Sequence, residues 1–276
     1  MDQRTIIITG ASSGIGEAAA RTLAQTGDKI VVIGRSAKRT HAVASDIGAD
    51  YLVADFSRLD QVHELATALK ESYPRIDVLA NNAGAIMGRR ELTADGHEKT
   101  FQVNHLAPFL LTRLLEDVLL ASHAKIVNTA SVAHQVFGKL NLDDLETAQK
   151  YSSNRAYGNA KLANILFTKE LHRRFNGRGI SAAAFHPGGV ATNFSAGSKS
   201  WLRFLYGSGM RSYMLTPAQG AQTLVWLAIG EPGYDWSSGH YYAKRRPART
   251  SRQANDPDLA RQLWQRSEDM VSAWLP

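Results

Sequence analysis

The chain returns seven times to a short run of apolar, often β-branched residues: RTIIIT, KIVVIG, DYLVA, RIDVLA, AKIVNT, ISAAAF and, late, GHYYA. Each run is continuous rather than alternating, which suits strands of a parallel sheet covered on both faces. Stretches with helix signals separate them. Ser57 with Asp60 fits a capping box opening SRLDQVHELATALKESY, and Asp256 followed by Pro257 fits the cap and first turn of DPDLARQLWQRSEDMVSAW. Gly27 stands where the first helix should end. Strand, helix, strand repeated over most of the length predicts a doubly wound α/β fold with right-handed crossovers, three layers deep (α/β/α). No linker rich in Pro, Gly or Ser precedes Phe194, so residues 1–276 are expected to form one domain. Within it, residues 195–215 carry Trp201, Phe204, Leu205, Tyr206, Met210 and Met214 among serines and glycines. A lid over an apolar substrate pocket and a plain surface excursion both fit that segment.

Composition narrows the function classes. There is no cysteine, which excludes disulfides and thiolate metal sites, and no metal centre is expected. With 44% hydrophobic residues a sizeable core can form, yet LAPFLLTRLLEDVLLA is interrupted by Arg113, Glu116 and Asp117, so no membrane span is expected. The sequence enters its first apolar run within a few residues, which leads us to expect a soluble, cytoplasmic protein. The net charge of +7 permits attraction to polyanions, and five cations cluster in YYAKRRPARTSRQ. No nucleic-acid-binding motif accompanies them, and no nucleic-acid partner is expected.

Directly after the first run stands TGASSGIGEAAARTL, with Gly10, Gly14 and Gly16 leading into an alanine-rich helix. Without a Cβ, glycine lets a phosphate approach the main chain, and the helix start supplies unpaired N–H donors and partial positive charge. Such a loop can hold a pyrophosphate; a tight turn without ligand has the same glycines. No Gly-Lys-Ser/Thr follows, so a P-loop is excluded. At the end of the second run an acidic residue would accept bonds from a ribose 2′-hydroxyl, whereas a cation suits a 2′-phosphate. The sequence there reads VVIGRSAKR: Gly34 occupies the expected acid position and Arg35 follows it, with Lys38 and Arg39 close behind. NADP is therefore favoured over NAD, which stays the alternative.

RAYGNAKLAN places Tyr157 and Lys161 at i and i+4, one turn apart on one helix face. An ammonium near a phenol favours the phenolate and lowers its pKa from about 10, giving a proton donor and acceptor usable near neutrality.

Six motifs then occur in a telling order: TGASSGIG, NNAG (Asn81 to Gly84), VNHLAPF around Asn104, NTAS ending at Ser131, YGNAK (Tyr157 to Lys161) and HPGGVAT (His186 to Thr192). In this the chain resembles the short-chain dehydrogenase/reductase family, from about residue 4 to the last helix. RAYGNAKLANILFTKEL, GAQTLVWLA and SGHYYA look like its retinol dehydrogenase-like branch. The resemblance implies a Rossmann-type oxidoreductase that moves hydride between a nicotinamide and a small carbonyl or alcohol, and the apolar residues of the 195–215 segment suggest a hydrophobic one. It assigns Tyr157 as general acid/base and Lys161 to the nicotinamide ribose and the phenol. Ser131 would bind the substrate oxygen, and Asn104 would hold a backbone carbonyl and water in a proton relay. Gly10, Ser12, Ser13, Gly14, Ile15 and Gly16 would line the phosphates, and Arg35 the adenosine ribose. Asp55 and Phe56 would meet the adenine, with Asn82, Ala83 and Gly84 along the cofactor. Pro187, Gly188, Val190 and Thr192 would approach the nicotinamide. Ser131 and Tyr157 are 26 residues apart, a long spacing that resembles the retinol dehydrogenase-like branch. Family members associate through long helices as homodimers or homotetramers, although LLTRLLEDVLLA and LANILFTKEL could equally bury their apolar faces within one subunit. A dinucleotide-binding sensor or scaffold without catalysis is the rival reading, and it has no need of a proton donor.

Overall fold

The computed structural model describes residues 3–190 and 214–275. All seven apolar runs become strands: β1 (Thr5–Thr9), β2 (Lys29–Gly34), β3 (Asp50–Val53), β4 (Val78–Asn81), β5 (Lys125–Thr129), β6 (Ser181–His186) and β7 (Tyr241–Ala243). A two-residue β8 (Arg246–Pro247) completes one sheet in the order β3-β2-β1-β4-β5-β6-β7-β8, parallel except where β8 pairs antiparallel with β7. The register runs Thr9 opposite Ile33 on one side of β1 and Ile8 opposite Ala80 on the other. Strand order reverses between β1 and β4, which opens a crevice beyond their carboxyl ends, where doubly wound folds place ligands.

Continuous apolar sequence works here because successive strand residues face opposite layers. Ile6 and Ile8 pack with Ala19, Ala20 and Leu23 of the Gly14–Ala24 helix, while Ile7 faces the layer that holds Leu65, Leu69 and Phe109. The edge strand β3 departs from the expected burial: Tyr51 and Val53 are 43% and 44% exposed.

Two helix starts differ in outcome. Asp256 caps the Pro257–Met270 helix as expected, accepting from the amides of Asp258 and Leu259 at 3.0 Å each. The Ser57/Asp60 box does not form. Asp55 Oδ1 captures both the amide and the hydroxyl of Ser57, at 2.9 and 2.8 Å. The helix opens later, at Leu59, whose amide is met instead by Asp95 from a distant loop at 3.0 Å. A complete capping box lies elsewhere, between Thr216 and Gln219.

The apolar faces of Ala107–Leu114 and Ser153–Phe175 are covered within one chain by the Pro257–Met270 helix. Trp264, 2% exposed, meets Phe109 at 5.1 Å, Phe167 at 5.7 Å and Phe175 at 6.0 Å between ring centroids. The Arg113 and Arg174 guanidiniums lie 5.3 and 4.5 Å from its ring. Trp264→Ala should therefore cost about 3–5 kcal/mol by removing a packed aromatic from a rigid surround. Denaturant unfolding monitored by circular dichroism checks this, and a loss below about 1 kcal/mol would contradict the packing role.

Candidate active site

The glycine loop after β1 is built by close approach. A Cβ on Gly10, whose φ is +67°, would lie 2.7 Å from Ala83 Cα, and one on Gly16 would lie 2.5 Å from Gly10 O. The loop is held from β4. Asn82 Nδ2 donates to Thr9 O at 2.9 Å, and Thr9 Oγ1 accepts from the amides of Asn82 and Ala83 at 3.0 Å each. Asn82 thus has its amide spent on joining two strand ends, and Thr9, which the motifs did not single out, is the anchor. Ser13 takes the N-cap position of the Gly14–Ala24 helix in extended backbone (φ −172°) and makes no side-chain cap. Ser13 thus leaves the first N–H groups of that helix without a side-chain cap, as an anion site requires.

At the end of β2, a Cβ on Gly34 would stand 2.5 Å from Thr40 Oγ1 and 2.7 Å from Ser12 Cβ. Thr40 and Ser12 therefore leave no room for a side chain at position 34. Arg35, Lys38 and Arg39 are exposed and form no ion pair among the described residues. Asp55 is part-buried and engaged with Ser57, and the side chain of Phe56 is core, 5% exposed, which leaves only its main chain to face outward.

Ile15 and Val190 both pack against Gly220 of the Pro217–Ile229 helix: a Cβ there would lie 3.3 Å from Ile15 Cγ1 and 2.5 Å from Val190 Cγ2. That contact brings the Pro187–Val190 segment beside the glycine loop. Gly188 has φ +91°, and Gly189 O accepts from the amide of Leu215 at 2.9 Å. Thr192 and most of the 195–215 segment, Trp201, Phe204, Leu205, Tyr206 and Met210 included, lie outside the described residues.

The Ser153–Phe175 helix carries Tyr157 (7% exposed) and Lys161 (1% exposed) on the face turned to the ends of β4 and β5. Lys161 Nζ sits 5.4 Å from the Tyr157 ring centroid and donates to Thr129 O at 3.1 Å. Burial pushes the Lys161 amine down to about 7, because no carboxylate offsets the lost hydration. Asn104 lies in a π-helical turn, Gln102–Leu106. Its Nδ2 donates to Ala85 O at 2.6 Å and Thr100 O at 2.8 Å, whereas its buried Oδ1 has no partner. One point joins the two groups: a Cβ on Gly84 would lie 2.6 Å from Asn104 Oδ1 and 3.2 Å from Lys161 Nζ.

Ser131 follows β5, with its Oγ accepting from the Ala133 amide at 3.2 Å. Ala133, with Ile86, forms a small apolar cluster with Tyr157, and Phe137 packs against it. The long insertion between Ser131 and Tyr157 is accommodated by paired glycines, since a Cβ on Gly158 would meet Gly138 N and Phe137 C at 2.8 Å. His134 braces the same turn: its Nδ1 lies 2.6 Å from Ser131 O, and burial lowers its pKa. The two shallow clefts beside Lys29 and Asp50 lie at the amino ends of the strands, on the opposite edge of the sheet.

A nicotinamide dinucleotide fits these residues. The loop admits no Cβ at Gly10 or Gly16, the helix start has no side-chain cap, and an orphaned acceptor and a singly bonded buried amine meet beside Gly84. Such a site defines a dinucleotide-dependent oxidoreductase. The profile of the short chain dehydrogenase family matches residues 4–203. The chain is 40% identical, over 97% of its length and 92% of the relative's, to a Streptomyces sp. (strain C5) protein provisionally named daunorubicin C-13 ketoreductase. It is 36% identical to human retinol dehydrogenase 13, over 99% of this chain and 86% of that one. Among solved structures it is similar to a protein from Beutenbergia cavernae, provisionally described as an NAD(P)-dependent gluconate 5-dehydrogenase with NADP bound at low occupancy. There the TM-score is 0.65 and the identity 27%, covering 81% of this chain and 88% of that one. The chain belongs to the short-chain dehydrogenase/reductase family, in its retinol dehydrogenase-like branch, and is an NAD(P)-dependent oxidoreductase acting on CH–OH groups. The non-catalytic alternative is not favoured. No helix among the described residues is long and apolar enough to cross a membrane.

Proposed function

We propose that this enzyme uses NADP(H) to interconvert an apolar carbonyl compound and its alcohol, with Tyr157, Lys161, Ser131 and Asn104 as the working residues. The observation that carries the reading is the buried Lys161 amine beside the Tyr157 ring, next to the unpaired Asn104 Oδ1. When bound, the nicotinamide supplies or accepts the hydride. In reduction, the Tyr157 hydroxyl gives its proton to the developing alkoxide while Ser131 Oγ donates to the same oxygen. Both interactions strengthen as negative charge grows there, so they lower the barrier rather than merely tighten binding. Lys161, held at Thr129 O, supplies the positive charge that makes the phenol a ready donor; the phosphates of a bound dinucleotide favour its charged form.

An apolar substrate is supported by the surface next to Tyr157. Ile86, Ala133 and Phe137 pack about the ring, and Val132 and Val136 stand 44% and 61% exposed beside them. Pro187, Gly188, Val190 and Thr192 are assigned to the nicotinamide side of the site. Preference for NADP is supported by the blocked acid position at Gly34 and by the free cations Arg35, Lys38 and Arg39, since a guanidinium can hold a 2′-phosphate bidentately.

Tyr157→Phe should lower turnover by about 10³-fold or more while leaving NADPH affinity within about threefold. Stopped-flow NADPH oxidation with a panel of aldehydes and ketones, paired with fluorescence titration, measures both, and undiminished turnover would refute the assignment. Arg35→Glu should lower the NADPH over NADH preference in kcat/KM by about tenfold or more, through loss of one charge-assisted contact and gain of a repulsion. An unchanged ratio would remove Arg35 from the 2′-phosphate site.

A further inference from the structure

Three residues beyond Lys161, the same buried helix face carries Asn164, 4% exposed. Its Nδ2 donates to Thr129 O at 3.1 Å and to Asn104 O at 3.0 Å. Thr129 O is the carbonyl on which the Lys161 amine also rests, at 3.1 Å. Asn104 O can take no α-helical bond from residue 108, for a reason written in the sequence. Residue 108, whose N–H would close the α-helical bond to it, is Pro108 and has none.

The remaining atom of the amide is fixed as well. With both Nδ2 hydrogens spent on carbonyls, Oδ1 must accept, and it faces His105 Nδ1 at 3.3 Å. His105 is fully buried, and burial pushes it down to about 4, so at neutral pH the ring is neutral and carries one proton. That proton sits on Nδ1 to satisfy Asn164. Nε2 is then an acceptor, and the Ser267 hydroxyl, 2.9 Å away on the Pro257–Met270 helix, donates to it. A directed line of bonds thus runs from Ser267 through His105 to Asn164 and ends on the two carbonyls beside the site.

We propose that Asn164 is a positioning residue for hydride transfer: by donating to the carbonyls of Thr129 and Asn104 together, it sets where the Lys161 amine rests relative to Tyr157 and where the Asn104 side chain projects. This rests on the reading of Tyr157 and Lys161 as the proton-handling pair. A leucine at 164 would keep the branched shape and number of heavy atoms, yet Asn104 O and Thr129 O would both lose the Nδ2 bonds that tie them to one side chain. A residue serving only the core would be replaceable at a cost in stability alone.

The test compares wild type, Asn164→Leu and Asn164→Ser, each checked for folding by circular dichroism. NADH is titrated from pH 6 to 9, which avoids ionisation of a 2′-phosphate, and NADPH oxidation is followed with decanal and benzaldehyde. Asn164→Leu is expected to move the midpoint of the pH dependence of NADH affinity by about half a unit or more. Its kcat should fall about tenfold with KM for NADPH within about threefold, and Asn164→Ser, which keeps one donor, should lie between. A folded Asn164→Leu with unmoved pH midpoint and unmoved kcat overturns the proposal. Should that variant not fold, an Asn164→Ser enzyme with both quantities unmoved overturns it equally. Tyr157→Phe retaining wild-type turnover would instead bring down the underlying pair, and the NADH titrations would still judge Asn164 separately.

Discussion

A cation taken out of water must be repaid by fixed dipoles or by a counter-charge, and in this protein Lys161 receives little of either. It is 1% exposed, donates to one backbone carbonyl and lies near one aromatic ring. The surrounding architecture is arranged around that deficit. The parallel sheet delivers the Thr129 carbonyl at the end of β5, the π-helical turn brings Asn104, and Gly84 keeps a side chain out of the space between them. An underpaired amine and an unpaired amide oxygen sharing one gap are unfavourable without a ligand and useful with one. The deficit is local, and the hydroxyls and phosphates of a dinucleotide bound as proposed would relieve it.

The same economy governs the loop after β1. Its glycines are needed because Ala83, Asn82 and the loop's own carbonyls already occupy the space a Cβ would take. Asn82 and Thr9 lock that loop to β4, so the loop and the segment leading to Gly84 are parts of one joint.

Much of this was legible in the sequence. Continuous apolar runs predicted the parallel strands, because period-two alternation is lost when both faces are covered. Tyr157 and Lys161 were legible because the helix period puts them on one face, and Pro257 with Asp256 marked a helix start. What escaped depended on contacts distant along the chain. Asp95 caps a helix that begins 36 residues earlier, and Asp55 diverts Ser57 from the cap it was expected to make. The β7–β8 turn has Lys244 and Arg245 at φ +52° and +59°, a conformation usually advertised by Asn-Gly and here written with two cations. The paired Gly138 and Gly158, which let the long insertion lie against the Tyr157 helix, could be seen as glycines but not as partners.

Lys161 is a desolvated amine, and in the proposed site its charge would follow what is bound beside it. Direct titration of its side-chain nitrogen by heteronuclear NMR, with Lys161→Met for assignment, measures this. The expected free-enzyme midpoint is about 7, so the charge present at pH 6 is lost by pH 8, and the midpoint should rise well above that when NADPH is bound. A free-enzyme value near the ordinary 10.4, unmoved by the dinucleotide, would mean a hydrated lysine outside any cofactor site and would contradict the account.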